Sequence, residues 1–302
     1  MVGVRIYHAP MSASAGWIEI GDRFYVRRYA FYDQNIGLVL GHGAALVIDT
    51  RSTYGQAREI LEDVRSVTRD PVTVVFDTHG HFDHVYGNAI FRPAIIWGHE
   101  GCIPFMRRTG ETRKAEIGRE EPGIGDELAE VVIDPPDRTF ERHAVIEVGG
   151  RPVELQFLGR GHTDHDAILT VPGTDVVWAG DLVEQGNVPF FGDGFPLEWP
   201  DTADALADLV VPGTGIIVPG HGRHGDLAFA RAQASSFRAL ADLARRVVAG
   251  ELTIDDAVAA HPFPDDPPEH ARRPLERAMT HLREDEAGVL GEVDADRDLV
   301  DR

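Results

Sequence analysis

The sequence contains a short run of metal-ligand residue types, His79-x-His81-x-Asp83-His84. Imidazole and carboxylate groups together are typical ligands of zinc, and they also bind iron or manganese. Two histidines separated by one residue at the end of a strand can bind the same ion. Asp83 and His84, beyond the following turn, can face a second ion. A single ion rarely takes all its ligands from so short a segment, so the spacing favours two metal ions over a polar surface turn.

Three further ligand candidates, His162, Asp181 and His221, each follow a predicted strand later in the chain. A single histidine or aspartate at such a position is usually a capping or turn residue. Together with the first motif, however, the three predict one site, because functional residues gather where strands end at one edge of a sheet.

Strands alternate with helices over most of the chain. Apolar runs predict strands at 17–20, 24–28, 35–40, 44–48, 72–76, 94–97, 145–148, 153–158, 167–171, 176–179 and 215–218. Apolar residues at helical spacing predict helices at 54–67, 99–108, 202–210 (with Asp201 or Thr202 as the cap), 226–248, 254–260 and 269–283. Residues 110–138 are rich in Glu, Arg, Gly and Pro, which predicts a mobile excursion or an insertion at the surface. This order of elements predicts a layered α/β fold.

Composition and charge exclude several classes of protein. The chain has 302 residues, 43% of them hydrophobic and 26% charged, which is typical of a globular protein with its own core. The net charge of −21 opposes binding to nucleic acid or to an anionic membrane. The single cysteine, Cys102, excludes a disulfide scaffold and a four-cysteine zinc site. No leader and no long apolar run is visible, which predicts a cytoplasmic protein without a membrane span.

The combined motifs resemble those of the metallo-β-lactamase fold superfamily, and in particular its glyoxalase-II-like hydrolase branch. The matching segments occur in family order over residues 15–225: Thr78-His79-Gly80-His81-Phe82-Asp83-His84, Gly161-His162-Thr163, Gly180-Asp181 and Gly220-His221-Gly222. The resemblance implies a four-layer αββα sandwich with the metal site at one edge. Residues 1–225 would form this catalytic domain, and residues 226–302 a helical extension packed on it, ending in an acidic tail.

The resemblance also assigns the ligands. The first ion would be bound by His79, His81 and His162, the second by Asp83, His84 and His221, and Asp181 would bridge the two. An aspartate at 181 resembles the hydrolase branch and differs from the β-lactamases that have a cysteine there. His81, where a carboxylate could stand, resembles the hydrolases and not the flavodiiron oxygen reductases.

Three further residues are candidates for supporting the ligands. Asp49 follows the strand 44–48 and matches an early aspartate of the family that supports the site from behind. Asp166 is predicted to hydrogen-bond the loop that carries His162. His165 either supports the site or lies exposed on a strand.

Two zinc ions per chain would support hydrolysis of a small ester, thioester or lactone, including thioesterase- or cyclase-type reactions. A hydroxide that bridges the ions would attack the carbonyl group, and Asp83 would orient it or accept its proton. The main alternative is an iron-dependent persulfide dioxygenase of the same fold, with iron on His79, His162 and Asp181. Manganese is a further alternative metal, and β-lactamase and nuclease activities are minor alternatives.

The loop 188–199 is the best indication of the substrate. It contains the aromatic residues Phe190, Phe191, Phe195 and Trp199 among flexible glycines. Such a loop suits the wall of an apolar pocket, although packing in the core or in a homodimer suits it equally. It therefore predicts a small-molecule substrate with an apolar or aromatic part. It has no Lys or Arg for a glutathione carboxylate, which argues against glyoxalase II activity itself.

Overall fold

The computed structural model describes residues 16–186, 189–263 and 270–284, which form two β-sheets and the helices around them. The first sheet contains, in spatial order, β1 (Ile18–Gly21), β2 (Phe24–Tyr29), β3 (Gln34–Leu40), β4 (Ala45–Ile48), β5 (Val72–Phe76), β6 (Ile95–His99) and β7 (Arg138–Phe140). The second contains β8 (His143–Val148), β9 (Arg151–Gln156), β10 (Ile168–Thr170), β11 (Val176–Gly180) and β12 (Ile216–Pro219), also in spatial order. Strands β4 to β7 are parallel, as are β11 and β12; the other neighbours are antiparallel.

Eight α-helices surround the sheets in the described part of the chain. They are α1 (Tyr54–Val64), α2 (Phe82–Val85), α3 (Cys102–Glu120), α4 (Gly125–Glu130), α5 (Trp199–Asp208), α6 (Leu227–Val248), α7 (Ile254–Ala259) and α8 (270–284). Short 3₁₀ turns lie at Phe31–Asp33 and Asn88–Phe91. None of the helices in these described ranges is both long and apolar enough to span a membrane.

Strand β4 shows how the layers form. Its side chains alternate between two apolar clusters, because successive residues of a strand point to opposite faces. Leu46 and Ile48 join the cluster between the two sheets, whereas Ala45 and Val47 join the cluster beneath α1. On the far side, a third cluster joins the second sheet to α5, α6, α7 and α8. The result is the four-layer αββα sandwich that the sequence predicts.

Two predictions about local structure are wrong, and one strand was not predicted. The expected excursion at 110–138 is mostly helical, because α3 continues to Glu120 and α4 follows it; Ile117 and Leu128 are fully buried there. The short strand β7 was not predicted. Helix α5 begins at Trp199, with Pro200 in its first turn, so the predicted caps at positions 201 and 202 lie inside the helix. Proline is compatible with this position because the first N–H groups of a helix need no partner within it.

The C-terminal helices pack onto the second sheet. Asp226 caps α6 by accepting a hydrogen bond from the backbone N–H of Phe229 at 3.0 Å. Phe237 and Leu240 of α6 lie in one cluster with Leu206 of α5 and Ile217 of β12. The division of the chain at residue 225 stays a prediction, and the acidic tail lies outside the described residues.

Two buried tryptophans provide a matched test of one buried hydrogen bond. Both Trp178 and Trp199 are fully buried, but only Trp199 donates its indole N–H, to the carbonyl oxygen of Leu182 at 3.0 Å. We expect Trp199→Phe to lower the free energy of unfolding by about 1 kcal/mol more than Trp178→Phe, because it also leaves a buried acceptor without its donor. Urea denaturation of the two variants measures the difference, and equal losses would contradict this account.

Candidate metal centre

The candidate ligands lie at the carboxyl ends of strands. The segment His79–His84 follows β5, Asp181 follows β11 and His221 follows β12, and the supporting residue Asp49 follows β4. The strands of each pair, β4 with β5 and β11 with β12, are parallel neighbours and therefore end at the same edge. His162 enters from the connection between β9 and β10. The chain thus brings all seven predicted ligands to one edge of the sandwich.

The first cluster consists of three imidazole nitrogens. Nδ1 of His81 lies 2.8 Å from Nε2 of His162 and 3.1 Å from Nε2 of His79. The other ring nitrogens have partners outside the cluster: the carbonyl oxygen of Phe190 for His162, Asp193 for His81 and the hydroxyl of Thr78 for His79. When protons occupy these outer nitrogens, three lone pairs face one another.

The second cluster combines two imidazoles with a carboxylate. Nε2 of His84 lies 3.3 Å from Nε2 of His221, and Oδ2 of Asp83 lies 3.3 Å from His221 and 3.5 Å from His84. The outer nitrogen of His84 donates to Asp49 at 2.8 Å, and that of His221 donates to the carbonyl oxygen of Tyr32 at 2.7 Å. These bonds orient both rings with Nε2 toward Asp83.

Asp181 lies between the clusters. Its Oδ2 is 3.5 Å from Nε2 of His162 and 3.4 Å from Nε2 of His221, and its Oδ1 is 3.5 Å from Nε2 of His84. Oδ1 is buried and has no hydrogen-bond partner among the described residues. A Cβ atom on Gly220 would lie 1.8 Å from this oxygen, so a glycine is required there.

The donor set fits divalent metal ions. Uncharged lone pairs and ionised oxygens that converge at these distances repel one another unless a cation lies between them. The ligand atoms of a tetrahedral zinc site are about 3.3 Å apart, since Zn–N bonds are about 2.0–2.1 Å long. His79, His81 and His162 form one group with this spacing, and Asp83, His84 and His221 form another. Asp181 lies between the groups, where its oxygens, including the unpartnered Oδ1, can bind an ion in each group.

Ionisation of the ligands agrees with this interpretation. Burial lowers the pKa of His79 and brings that of His162 to about 3, so both rings are neutral. Burial acts in the same direction on His84 and His221, but nearby carboxylates, first Asp181, raise the pKa of both well above the usual value. Protons thus occupy the second cluster when no metal does, and metal binding must displace them.

Asp49 supports the second cluster, as the sequence predicts. Its carboxylate is fully buried and accepts hydrogen bonds from Nδ1 of His84 at 2.8 Å and from the backbone N–H of Thr78 at 2.9 Å. It therefore fixes the His84 ring and the turn that precedes His79.

We expect Asp49→Asn to weaken zinc binding at the second cluster by about 10-fold to 100-fold, because at least one of the three donors around the carboxylate then meets an NH₂ group. Asp193→Asn is the matched control: Asp193 bonds His81 of the first cluster and is half exposed, so its effect should be smaller. Zinc titration against a competing chelator measures both affinities. Unchanged affinity in Asp49→Asn would contradict this role.

His165 and Asp166 support the loops that carry ligands. Nε2 of His165 accepts a hydrogen bond from the backbone N–H of Gly80 at 3.0 Å, and the ring is fully buried, so the exposed alternative is wrong. Asp166 accepts bonds from the N–H and the hydroxyl of Thr163, at 2.7 and 2.8 Å. The turn after His162 is thereby closed.

Burial raises the pKa of Asp166 to about 7, although its bonds from Thr163 oppose the shift. The folded protein therefore holds a proton that the unfolded chain releases above about pH 4, so the stability contributed by this group falls as the pH rises from about 4 to about 7. We expect the stability of the wild type relative to Asp166→Asn to fall between about pH 5.5 and about pH 7.5. Urea denaturation across this range tests it, and a relative stability that rises with pH would contradict it.

A cleft opens onto the two clusters. Its wall includes Phe105, whose ring centroid lies 5.5 Å from that of His81, and Phe190, 6.1 Å from both His81 and His162. Phe191 and Trp199 instead lie in the core. Phe190 therefore fits the predicted pocket wall, whereas Phe191 and Trp199 fit the predicted core packing. Val188 lies outside the described residues.

Several residues at this site were not predicted from the sequence. Asp193 hydrogen-bonds Nε2 of His81 at 3.1 Å, and Glu184 offers an oxygen near His162 and Asp181. Other residues that line the cleft were also missed: Tyr32, Tyr86, Phe105, Thr109 and Arg113. The last three were detectable in principle, because they are spaced four residues apart and so share a helix face.

The fold and the site define the class of the protein: an αββα metalloprotein with His and Asp ligands at the sheet edge. The family model described as "Metallo-beta-lactamase superfamily" matches residues 30–221. The chain therefore belongs to the metallo-β-lactamase superfamily.

Known proteins similar to this chain agree with that assignment. A metallo-β-lactamase type 2 from Bacillus sp. (strain 170) is 26% identical over 194 residues, which is 63% of this chain and 67% of that protein. The solved structure of a metallo-β-lactamase from Pontibacter korlensis superposes with a TM-score of 0.58 at 21% identity, covering 74% of this chain and 98% of that one. A sec-alkylsulfatase from Pseudomonas sp. gives 0.69 at 17% identity, covering 88% and 50%. These structures support the fold and leave the branch of the superfamily open.

Proposed function

We propose that this protein is a dinuclear zinc hydrolase of a small ester, thioester or lactone, in the hydrolase branch of the superfamily. The observation that carries the proposal is the pair of three-residue clusters on either side of Asp181. The presence of an aspartate rather than a cysteine at 181 supports the assignment to this branch.

The side chains around the clusters would have separate roles in such a reaction. When bound, two zinc ions supply a water molecule of lowered pKa and polarise the substrate carbonyl group. Asp83 lines the cleft, and its pKa is lowered to about 2 by His84 and His221 despite burial, so it is ionised and can accept a proton from that water. Phe105 and Phe190 provide an apolar surface beside the clusters for the acyl group.

Hydrolysis of a β-lactam is the second candidate, because the Bacillus relative carries the name of that activity. An iron-dependent dioxygenase needs only His79, His162 and Asp181, and the second cluster has no role in it. The net charge of −21 opposes a nuclease.

Metal content and a substrate panel test the proposal together. Protein purified without chelators is analysed by elemental mass spectrometry and assayed with an aryl ester, an acyl thioester, a lactone and a β-lactam. His221→Ala should lower turnover at least about 100-fold. His224→Ala, three residues away and exposed, is the matched control and should not.

About two zinc ions per chain with turnover of an ester, thioester or lactone would support the proposal. Turnover of the β-lactam alone would favour the second candidate. About one iron per chain, with oxygen consumed in the presence of a persulfide, would overturn both.

A further inference from the structure

Besides the histidines of the two clusters, the described residues that line the cleft include one basic side chain, Arg113. Helix α3 presents Phe105, Thr109 and Arg113 to the cleft, one turn apart on a single face. Phe105 lies against His81, and the row therefore runs from the metal centre outward. Eight residues of helix rise about 12 Å, and helical side chains lean back toward the N-terminus. The guanidinium group thus lies about 6–12 Å from the level of Phe105 along the helix.

Arg113 is only weakly engaged by the protein itself. Its side chain is 28% exposed, and Nη1 donates to Glu116, one turn along the same helix, at 2.9 Å. Among the described residues it has no other hydrogen-bond acceptor. Such a pair on a helix surface contributes little to stability, so a ligand can replace Glu116 at low cost.

The effect of Arg113 on a neighbouring residue also places its charge at the cleft. Burial raises the pKa of Tyr86, a neighbouring wall residue, and Arg113 is the cation that opposes this rise. The guanidinium group lies near Tyr86, in a cleft that Tyr32 and Phe105 also line, and it is partly shielded from water, which strengthens its attraction for an anion. Its planar fork of N–H donors matches a carboxylate.

We propose that Arg113 binds a carboxylate at the distal end of the substrate, so that the site accepts acyl compounds bearing an anionic group about 6–12 Å from the reacting carbonyl. The apolar chain between the two ends packs along Phe105 and Thr109. The identity of the reacting carbonyl group rests on the proposed hydrolysis. The binding of the carboxylate by Arg113 does not.

Two esters of equal acyl length test the selectivity. They are mono-4-nitrophenyl suberate, which ends in a carboxylate, and 4-nitrophenyl octanoate, which ends in a methyl group. In Arg113→Met we expect the ratio of kcat/KM for suberate over octanoate to fall about 10-fold to 100-fold, mainly through KM. Arg113→Lys should retain part of the preference. Arg107→Met, which removes the same charge from an exposed position on α3, should retain all of it.

Calorimetric binding of suberate and octanoate to the zinc-loaded protein provides a readout that does not depend on turnover. Suberate should bind about tenfold more weakly to Arg113→Met than to the wild type, and octanoate should bind equally to both. This binding difference without hydrolysis of either ester would support the inference and count against the proposed reaction. An unchanged ester preference and unchanged suberate affinity in Arg113→Met, or equal losses in Arg107→Met, would overturn the inference.

Discussion

Asp181→Asn is expected to lower the zinc content from about two ions per chain to one or fewer and to lower ester hydrolysis at least about 100-fold. The reason lies in the position of Asp181 between the clusters, where its two oxygens face His162, His221 and His84 at 3.4–3.5 Å. An amide of the same size must direct its NH₂ group at one of the clusters. It also removes a negative charge that both ions would share.

Metal content by elemental mass spectrometry and turnover of an aryl ester measure the two effects. Asp242→Asn is the matched control, since Asp242 is exposed and pairs with Arg245 on the surface of α6. A variant at 181 that keeps two zinc ions and wild-type turnover would show that this carboxylate serves neither ion.

The candidate ligands could be grouped from the sequence because their signal is local. Four of them lie in the six-residue segment 79–84 shortly after an apolar strand, and Asp181 and His221 follow two other strands almost directly. Residue type and strand-end position are both visible in a sequence. The parallel pairing of β4 with β5 and of β11 with β12 then brings the strand ends together, which requires no precise knowledge of loop structure.

Helix α3 was predicted too short because its glycines read as helix breakers. Gly110 is a packing residue instead: a Cβ atom there would lie 2.9 Å from the side chain of Ile133. The Glu and Arg residues around it, with Lys114 and Ala115, are good helix formers, and their combined propensity outweighs the cost of about 1 kcal/mol for a glycine. Because the helix was not extended past position 108, Arg113 could not be placed in the cleft.

The contact between Asp193 and His81 joins residues 112 positions apart, and nothing local marks it. An aspartate between two glycines reads as a turn residue. Its role depends on how the loop after β11 folds back over the first cluster. This path is set by tertiary packing, in particular by the burial of Phe191 and Trp199 in the core.

Removal of the metal ions is expected to lower the melting temperature by about 10 °C, and added zinc should restore it. The ligands of both groups converge only in the folded chain, so zinc binds the folded state and the unfolded chain has no preformed site. A ligand that binds only the folded state at 1,000 times its dissociation constant stabilises it by about 4 kcal/mol. Each kcal/mol corresponds to about 2–4 °C in a domain of this size.

Thermal unfolding followed by circular dichroism, before and after dialysis against a chelator, measures the shift. The double variant His79→Ala with His84→Ala removes one ligand from each cluster and is the control. Its melting temperature should respond weakly to chelator and to zinc, because the ligands that remain bind zinc only weakly. If the wild type is verified to be metal-free and melts at an unchanged temperature, the fold does not depend on the bound ions. The hydrogen bonds that the ligand histidines donate to Asp49, Tyr32 and Phe190 are then enough to hold the clusters in place.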